Sequence, residues 1–162
     1  MTVARLVEQK AIDRLINVHN KLIKEGIIHN FYIIGDGPER DKLAQKIREN
    51  NLNETFKLIG QRENPYPYMR QADYFCLLSY FEGYGMVLEE AKILNKKILI
   101  TDTAAREVVK QYENSQIFEN SEQGIYNGLK NVIKNHKNEE NNIEKSYSNK
   151  NIIEKIIKLV GE

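Results

Sequence analysis

One stretch constrains the fold of this chain more than any other. It begins with the apolar run Tyr74-Phe75-Cys76-Leu77-Leu78 and continues through Ser79 to Ala91. The apolar run reads as a buried strand. Gly83 and Gly85 break it, and Met86 to Leu94 then carry helical spacing. A strand, a glycine turn and a helix in that order aim free backbone N–H groups at an anion. At about 100° per residue, Met86, Val87, Ala91 and Leu94 share one face, with Glu90 in its middle and Glu89 and Lys92 opposite. An ionised carboxylate on a packed face is costly unless something partners it. Glu90 is therefore expected either to pair with an Arg or backbone donors, or to accept hydrogen bonds from a ligand's hydroxyls. Glu82 lies in the turn before the helix and is expected to face the same crevice.

The rest of the chain alternates in the same way. Ile12, Leu15, Ile16, His19, Leu22 and Ile23 recur at helical spacing up to about Gly26. Phe31–Ile34 reads as a short buried strand ending at Gly35-Asp36-Gly37-Pro38, and Leu43 and Ile47 mark a helix with Leu52 at its exit. The glycines there are not G-x-G-x-x-G, so no dinucleotide fingerprint is present. Thr55–Ile59 is the next strand. Gln61–Gln71 reads as a loop with at most one helical turn, Pro65 and Pro67 preventing regular structure early in it. Lys97–Ile100 is a strand, a short helix runs to Val109, and Ser115–Phe118 is a small strand. Ser121 is the expected N-cap of an amphipathic helix to Asn135. Residues 136 to 150 read as a solvated turn or helix, and Asn151–Val160 as a closing helix. Strands alternating with helices imply an α/β fold, a doubly wound, Rossmann-like parallel sheet with helices on both faces. In such folds ligands bind at the carboxyl ends of the strands, where the loops bearing Arg5, Asp36, Gln61, Glu82 and Asp102 would open.

The 162 residues make one domain with room for a core. A net charge of +1 with mixed signs gives no nucleic-acid signal. The single cysteine, Cys76, reads as a reduced core residue and agrees with a cytoplasmic location. His19, His29 and His136 lack metal-ligand spacing. The sequence holds no apolar run long enough for a membrane helix.

Glu82 and Glu90 form an E-x7-E pair within Ser79-Tyr80-Phe81-Glu82-Gly83-Tyr84-Gly85. This motif resembles the retaining nucleotide-sugar glycosyltransferases of family 4, the group 1 class, which are GT-B enzymes built from two Rossmann-like domains. The resemblance extends to Ala4-Arg5-Leu6-Val7-Glu8-Gln9-Lys10, similar to the family's G-R-L-x-x-x-K. It extends also to Ile33-Ile34-Gly35-Asp36-Gly37-Pro38 and to Ala72-Asp73-Tyr74-Phe75-Cys76-Leu77-Leu78-Ser79. It covers roughly Val3 to Val109. Ala4 stands for the usual Gly, Leu78 for a Pro, and Ala104-Ala105 for the glycines of a later G-G-x-x-E segment that Glu107 ends.

The resemblance implies that residues 1–162 are the donor-binding C-terminal half of a GT-B enzyme whose N-terminal, acceptor-binding domain is absent. It implies a UDP- or GDP-linked sugar donor, no metal, and a hydroxyl acceptor such as a sugar or a lipid-linked sugar. Arg5 and Lys10 would contact the donor diphosphate. Gly83, Tyr84, Gly85, Met86 and Val87 would offer main-chain N–H groups, Glu90 would take the ribose hydroxyls, and Glu82 the transferred sugar. Gln61 and Arg62 would lie at the base. The full enzyme would be cytoplasmic or peripheral on the inner membrane face, and this half would bind without turning over. Two other readings stay open: a non-catalytic nucleotide-sugar-binding or interaction subunit completed by a partner chain, and a GT-B nucleotide-sugar epimerase.

Overall fold

The computed structural model describes the backbone of residues 1–148 and the side chains of residues 1–140. The strands are β1 (Thr2–Val3), β2 (Phe31–Ile34), β3 (Phe56–Gly60), β4 (Tyr74–Leu77), β5 (Lys97–Thr101) and β6 (Ser115–Phe118). The helices are α1 (Ile12–Lys24), α2 (Arg40–Glu49), α3 (Tyr66–Gln71), α4 (Met86–Ile93), α5 (Arg106–Val109) and α6 (Glu122–Ser148). A 3-10 turn, Glu8–Lys10, precedes α1.

Six parallel strands form two three-stranded ladders, β1-β2-β3 and β4-β5-β6. Met1 joins them. Its amine donates to Tyr74 O at 2.8 Å, and Cys76 N–H donates to Met1 O at 2.8 Å. That is the bonding of a parallel pair, with Met1 opposite Phe75. The spatial order is therefore β3-β2-β1-β4-β5-β6, the doubly wound arrangement, with its topological switch point between β1 and β4.

The period of two along the strands assigns each side chain to a face. Phe31, Ile33, Phe56, Cys76, Leu78 and Leu99 point into a core closed by α1, α2 and α6. Ile34, Phe75, Leu77, Ile98 and Ile100 point into a second core with Met69 of α3, Leu88 and Ala91 of α4 and Val109 of α5. Burial also pushes the Cys76 thiol pKa up, keeping it an inert core group.

Several local expectations change. Pro65 is the N-cap of α3 and Pro67 sits in its first turn. The prolines therefore open a helix, because the first turn needs no N–H donor from them. Ser121 caps α6 as expected, its Oγ accepting from Gly124 N–H at 2.9 Å, but α6 runs on past Asn135 to Ser148. The expected helix at 151–160 lies outside the described residues.

The Gly35-Asp36-Gly37 turn has a packing role. Gly35 has φ +142°, and a Cβ there would lie 1.9 Å from Ala4 O. A Cβ on Gly37 would lie 2.4 Å from Leu6 O. Only glycines let this turn press against the loop after β1. The two backbones are stitched by Ala4 N–H to Ile34 O and Leu6 N–H to Asp36 O, both 2.9 Å.

Candidate functional site

The loops after β1 and β4 leave the sheet at the switch point, where the chain's reversal opens a crevice at the carboxyl ends of the strands. Lys10, from the first loop, forms an ion pair with Glu82, from the second. The two side chains are only 19% and 12% exposed. Residues 72 positions apart thus close on each other across the crevice.

The loop between β4 and α4 is held almost entirely by its carbonyls. Leu78 O accepts from Arg14 Nη2 at 3.0 Å, and Ser79 O from Thr101 Oγ1 at 2.7 Å. Tyr80 O accepts from Asn120 Nδ2 at 2.8 Å and Phe81 O from Gln9 Nε2 at 3.0 Å. Glu82 O accepts from Ala105 N–H at 3.2 Å. Past Glu82 the pattern inverts. The N–H groups of Gly83, Tyr84, Gly85, Met86 and Val87 donate to no acceptor among the described residues. Gly85 takes a left-handed φ of 67° as the N-cap of α4, which needs no side chain. The result is a row of free donors at the positive end of a helix dipole, beside a Lys and a Glu.

The structure recentres the face of α4. Leu88 and Ala91 are fully buried, with Val87 and Leu94 flanking them, whereas Met86 is 72% and Ile93 83% exposed. Glu90 is not in the middle of the packed face; it sits at that face's edge, half-buried, on the side where Met86 and Ile93 emerge. The sequence reading counted Met86 as core, but the left-handed Gly85 starts the helix with that residue turned outward. The expected contrast between neighbours survives. Glu89 accepts from Lys92 at 2.9 Å and from Tyr84 OH at 3.1 Å, and Lys92 above all holds its pKa down. Glu90 makes no such side-chain bond among the described residues.

Arg5 is exposed at the tip of the β1 loop, with no ion pair among the described residues. Gln61 and Arg62 are exposed after β3, where Arg62 Nη1 donates to Gln61 O at 3.1 Å. β3 lies two strand spacings from β1, roughly 10 Å, so these two residues stand apart from the Lys10–Glu82 pair. Asp36 is exposed and folds back on its own turn, accepting from Gly37 N–H at 2.7 Å. Asp102 pairs with Arg106 at 2.8 Å. None of the histidines reaches the crevice. His19 is in the core beside Phe56, His29 lies next to it, and His136 meets Asp73 at the opposite end of the sheet. Among the described residues no three His, Cys, Asp or Glu are grouped to hold a metal ion.

Sequence reasoning missed the residues that hold the loop: Gln9, Arg14, Thr101 and Asn120. One signal was present. Arg14 stands four residues before Val18 on the buried stripe of α1, an odd place for a charge. Beneath Lys10, a cavity of about 10 Å³ is lined by Thr2, Ala4, Leu78 and Ser79. That is room for about one water, and Ser79 Oγ, buried without a partner among the described residues, faces the same region.

Residues 1–159 match the sequence model of the family "Glycosyl transferases group 1". A Campylobacter jejuni relative, N-acetylgalactosamine-N,N'-diacetylbacillosaminyl-diphospho-undecaprenol 4-alpha-N-acetylgalactosaminyltransferase, is 34% identical over 73% of this chain and 32% of its own. The poly(ribitol-phosphate) alpha-N-acetylglucosaminyltransferase of Staphylococcus aureus is 28% identical over 97% of this chain and 34% of its own. A solved S. aureus TarM mutant, in complex with fondaparinux, alpha-GlcNAc-glycerol and UDP, superposes with a TM-score of 0.69. It is 27% identical and covers 99% of this chain and 35% of that one. The chain spans about a third of the length of the curated relatives it matches.

Proposed function

We propose that this chain, which belongs to the glycosyl transferases group 1 family, binds a nucleoside-diphosphate sugar and forms the donor half of a retaining glycosyltransferase of the family 4 type. The observation that carries this reading is the meeting of three features at the switch point. These are the Lys10–Glu82 pair, the free N–H row of residues 83–87 and the exposed Arg5, which has no ion pair among the described residues.

In this reading the diphosphate lies along the free N–H row. Arg5 and Lys10 supply the counter-charge as the sugar–phosphate bond breaks, so no metal ion is called for. Glu82 meets the hydroxyls of the departing sugar and favours positive charge at its ring, which is where an oxocarbenium-like transition state places it. A leaving-phosphate oxygen on the same face takes the acceptor's proton, and the acceptor attacks from that face with retention. Glu90, at the edge of α4, accepts from the two ribose hydroxyls, and the loop at Gln61 and Arg62 borders the base. The alpha linkages in the names of two relatives support retention, since a donor joined to diphosphate by an alpha bond then yields an alpha product. A lipid-linked or polyol-phosphate acceptor follows the same names. It would be met by a further, acceptor-binding domain, with the full enzyme in the cytoplasm or on the inner face of the membrane. No described helix is long and apolar enough to cross a membrane.

The test is calorimetry and thermal shift on this chain with UDP, GDP and ADP and their hexose conjugates. At least one nucleotide is expected to bind, weakly, because only one wall of the crevice is present. No heat and no shift with any of them at millimolar concentration overturns the proposal.

A further inference from the structure

Arg14 is buried, at 5% exposure, and forms no ion pair among the described residues, although Asp13 and Glu122 lie close enough to favour its charge. Its Nη2 donates to Leu78 O at 3.0 Å, to Ser79 O at 3.3 Å and to Asn120 Oδ1 at 3.0 Å. Its guanidinium lies over the Tyr80 ring, 4.3 Å from the centroid. A buried cation costs more than an apolar residue would at the same place, and burial lowers its pKa accordingly. Every hydrogen bond that offsets this cost goes to the loop leading into Glu82 or to Asn120, which itself donates to Tyr80 O. Arg14 comes from α1, Asn120 from the segment before α6, and the loop from the end of β4. All three bonds leave one nitrogen, while Nε is buried with no partner among the described residues. What an arginine adds over a lysine's ammonium is the plane that lies over Tyr80 and fixes the angle at which that nitrogen meets the loop and Asn120.

We infer that Arg14, with Asn120, is a positioning residue: it fixes the loop Leu78–Phe81 so that Glu82 and the free N–H row of residues 83–87 face the crevice at a set distance and angle. This inference rests on the proposed donor site for its purpose, but the clamp itself can be measured without any ligand. Tyr80 N–H donates to Gln9 O at 3.0 Å, so its amide exchange reports whether the loop is held.

The experiment compares the whole chain with Arg14→Met, Arg14→Lys and Asn120→Ala. Asn120→Ala removes an exposed-side partner and covers the case in which Arg14→Met fails to fold. Hydrogen exchange by mass spectrometry is expected to quicken about tenfold, an amount equal to one lost hydrogen bond, in peptides containing Tyr80. Peptides from β2 and β5 are expected to keep the wild-type rate. Affinity for the hexose conjugates of UDP, GDP or ADP is expected to fall more than affinity for the bare diphosphate, because Glu82 is set by the loop. Arg14→Lys is expected to behave like Arg14→Met. Exchange that quickens everywhere, or not at Tyr80, reduces Arg14 to a general stability role and overturns the inference. So does an Arg14→Lys chain indistinguishable from wild type, since a charged donor without the guanidinium plane over Tyr80 would then suffice. A wild-type chain that binds no nucleotide refutes the proposed function instead, and the exchange arm still decides the clamp.

Discussion

Two glycines near the crevice should respond in opposite ways to the same added methyl group. At Gly35 the new Cβ would sit 1.9 Å from Ala4 O and 2.9 Å from Ala4 C, at a φ of +142°. Cβ contacts below 3.0 Å essentially never occur, so the end of β1 must retreat by about 1 Å. The φ alone costs 1–3 kcal/mol in a side-chain-bearing residue, about 2 kcal/mol at the centre. Loosening the Ala4 N–H to Ile34 O and Gly35 N–H to Gly60 O bonds adds about 1 kcal/mol each. Gly35→Ala should therefore cost about 4 kcal/mol, a large share of the roughly 5–15 kcal/mol that holds a domain together. At Gly83 an added Cβ meets nothing within 4 Å, and no positive φ forbids it. Gly83→Ala should leave stability unchanged or raise it by about 0.4–1 kcal/mol through the unfolded chain. Its effect should fall on ligand affinity, because the methyl group occupies the approach to the free N–H row. Urea unfolding followed by circular dichroism, paired with calorimetry, reads both quantities. A silent Gly35→Ala, or a Gly83→Ala that loses more than about 2 kcal/mol of stability, would refute the division into a packing glycine and a ligand-facing one.

Three further outcomes are expected. Arg5→Ala should weaken a nucleoside diphosphate by about 1–3 kcal/mol and leave free nucleoside nearly untouched, while EDTA changes neither; equal losses for both ligands place Arg5 elsewhere. Glu90→Gln should weaken nucleotide binding, with a smaller loss against a 2′,3′-dideoxy nucleotide, whereas Glu89→Gln stays within about 0.5 kcal/mol in binding and stability; the reverse result would mean that the helix phase is misread. His19 is held neutral, its pKa lowered to about 3 by burial first and by His29 second, so the unfolded chain binds its proton near 6.5 and the folded chain near 3. Stability should then fall as pH drops below about 6.5, by roughly 2 kcal/mol from His19 at pH 5, and His19→Gln should flatten that part of the urea-midpoint profile; an unchanged slope counts against it.

The fold was legible because each buried strand is a short apolar run and each helix an amphipathic one, and the switch point follows from their order. Phe31–Ile34 and Ser115–Phe118 fall where the pattern put them. The face of α4 was misplaced by one backbone angle. A left-handed Gly85 aims Met86 outward and brings Leu88 inward, and hydrophobicity alone does not encode that turn. The prolines of α3 were read as breakers because the helix they open is only six residues long and shows no stripe. The clamp could not be read at all. Arg14 meets residues 64 to 106 positions away, and a hydrogen bond across that separation leaves no local period in the sequence.

The geometry also explains why Ala4 can stand where the G-R-L-x-x-x-K motif that this segment resembles has glycine. Three backbones crowd together here: the end of β1, the Gly35–Gly37 turn and, through Gly35 N–H to Gly60 O at 3.0 Å, the end of β3. The contact needs a residue without a side chain on one side of each close approach, and that side is Gly35 and Gly37, not Ala4. β1 itself has only two residues, too few to aim the loop that follows it. Arg5 and Lys10 are therefore placed by the glycine turn pressing from β2, while Glu82 is placed by side chains reaching in from α1, β5 and the segment before α6. Two supports meet at one ion pair, and among the described residues only Gln9, bonded to Tyr80 N–H and Phe81 O, links them ahead of it. Damage to either should misalign the pair while the other half of the crevice keeps its shape.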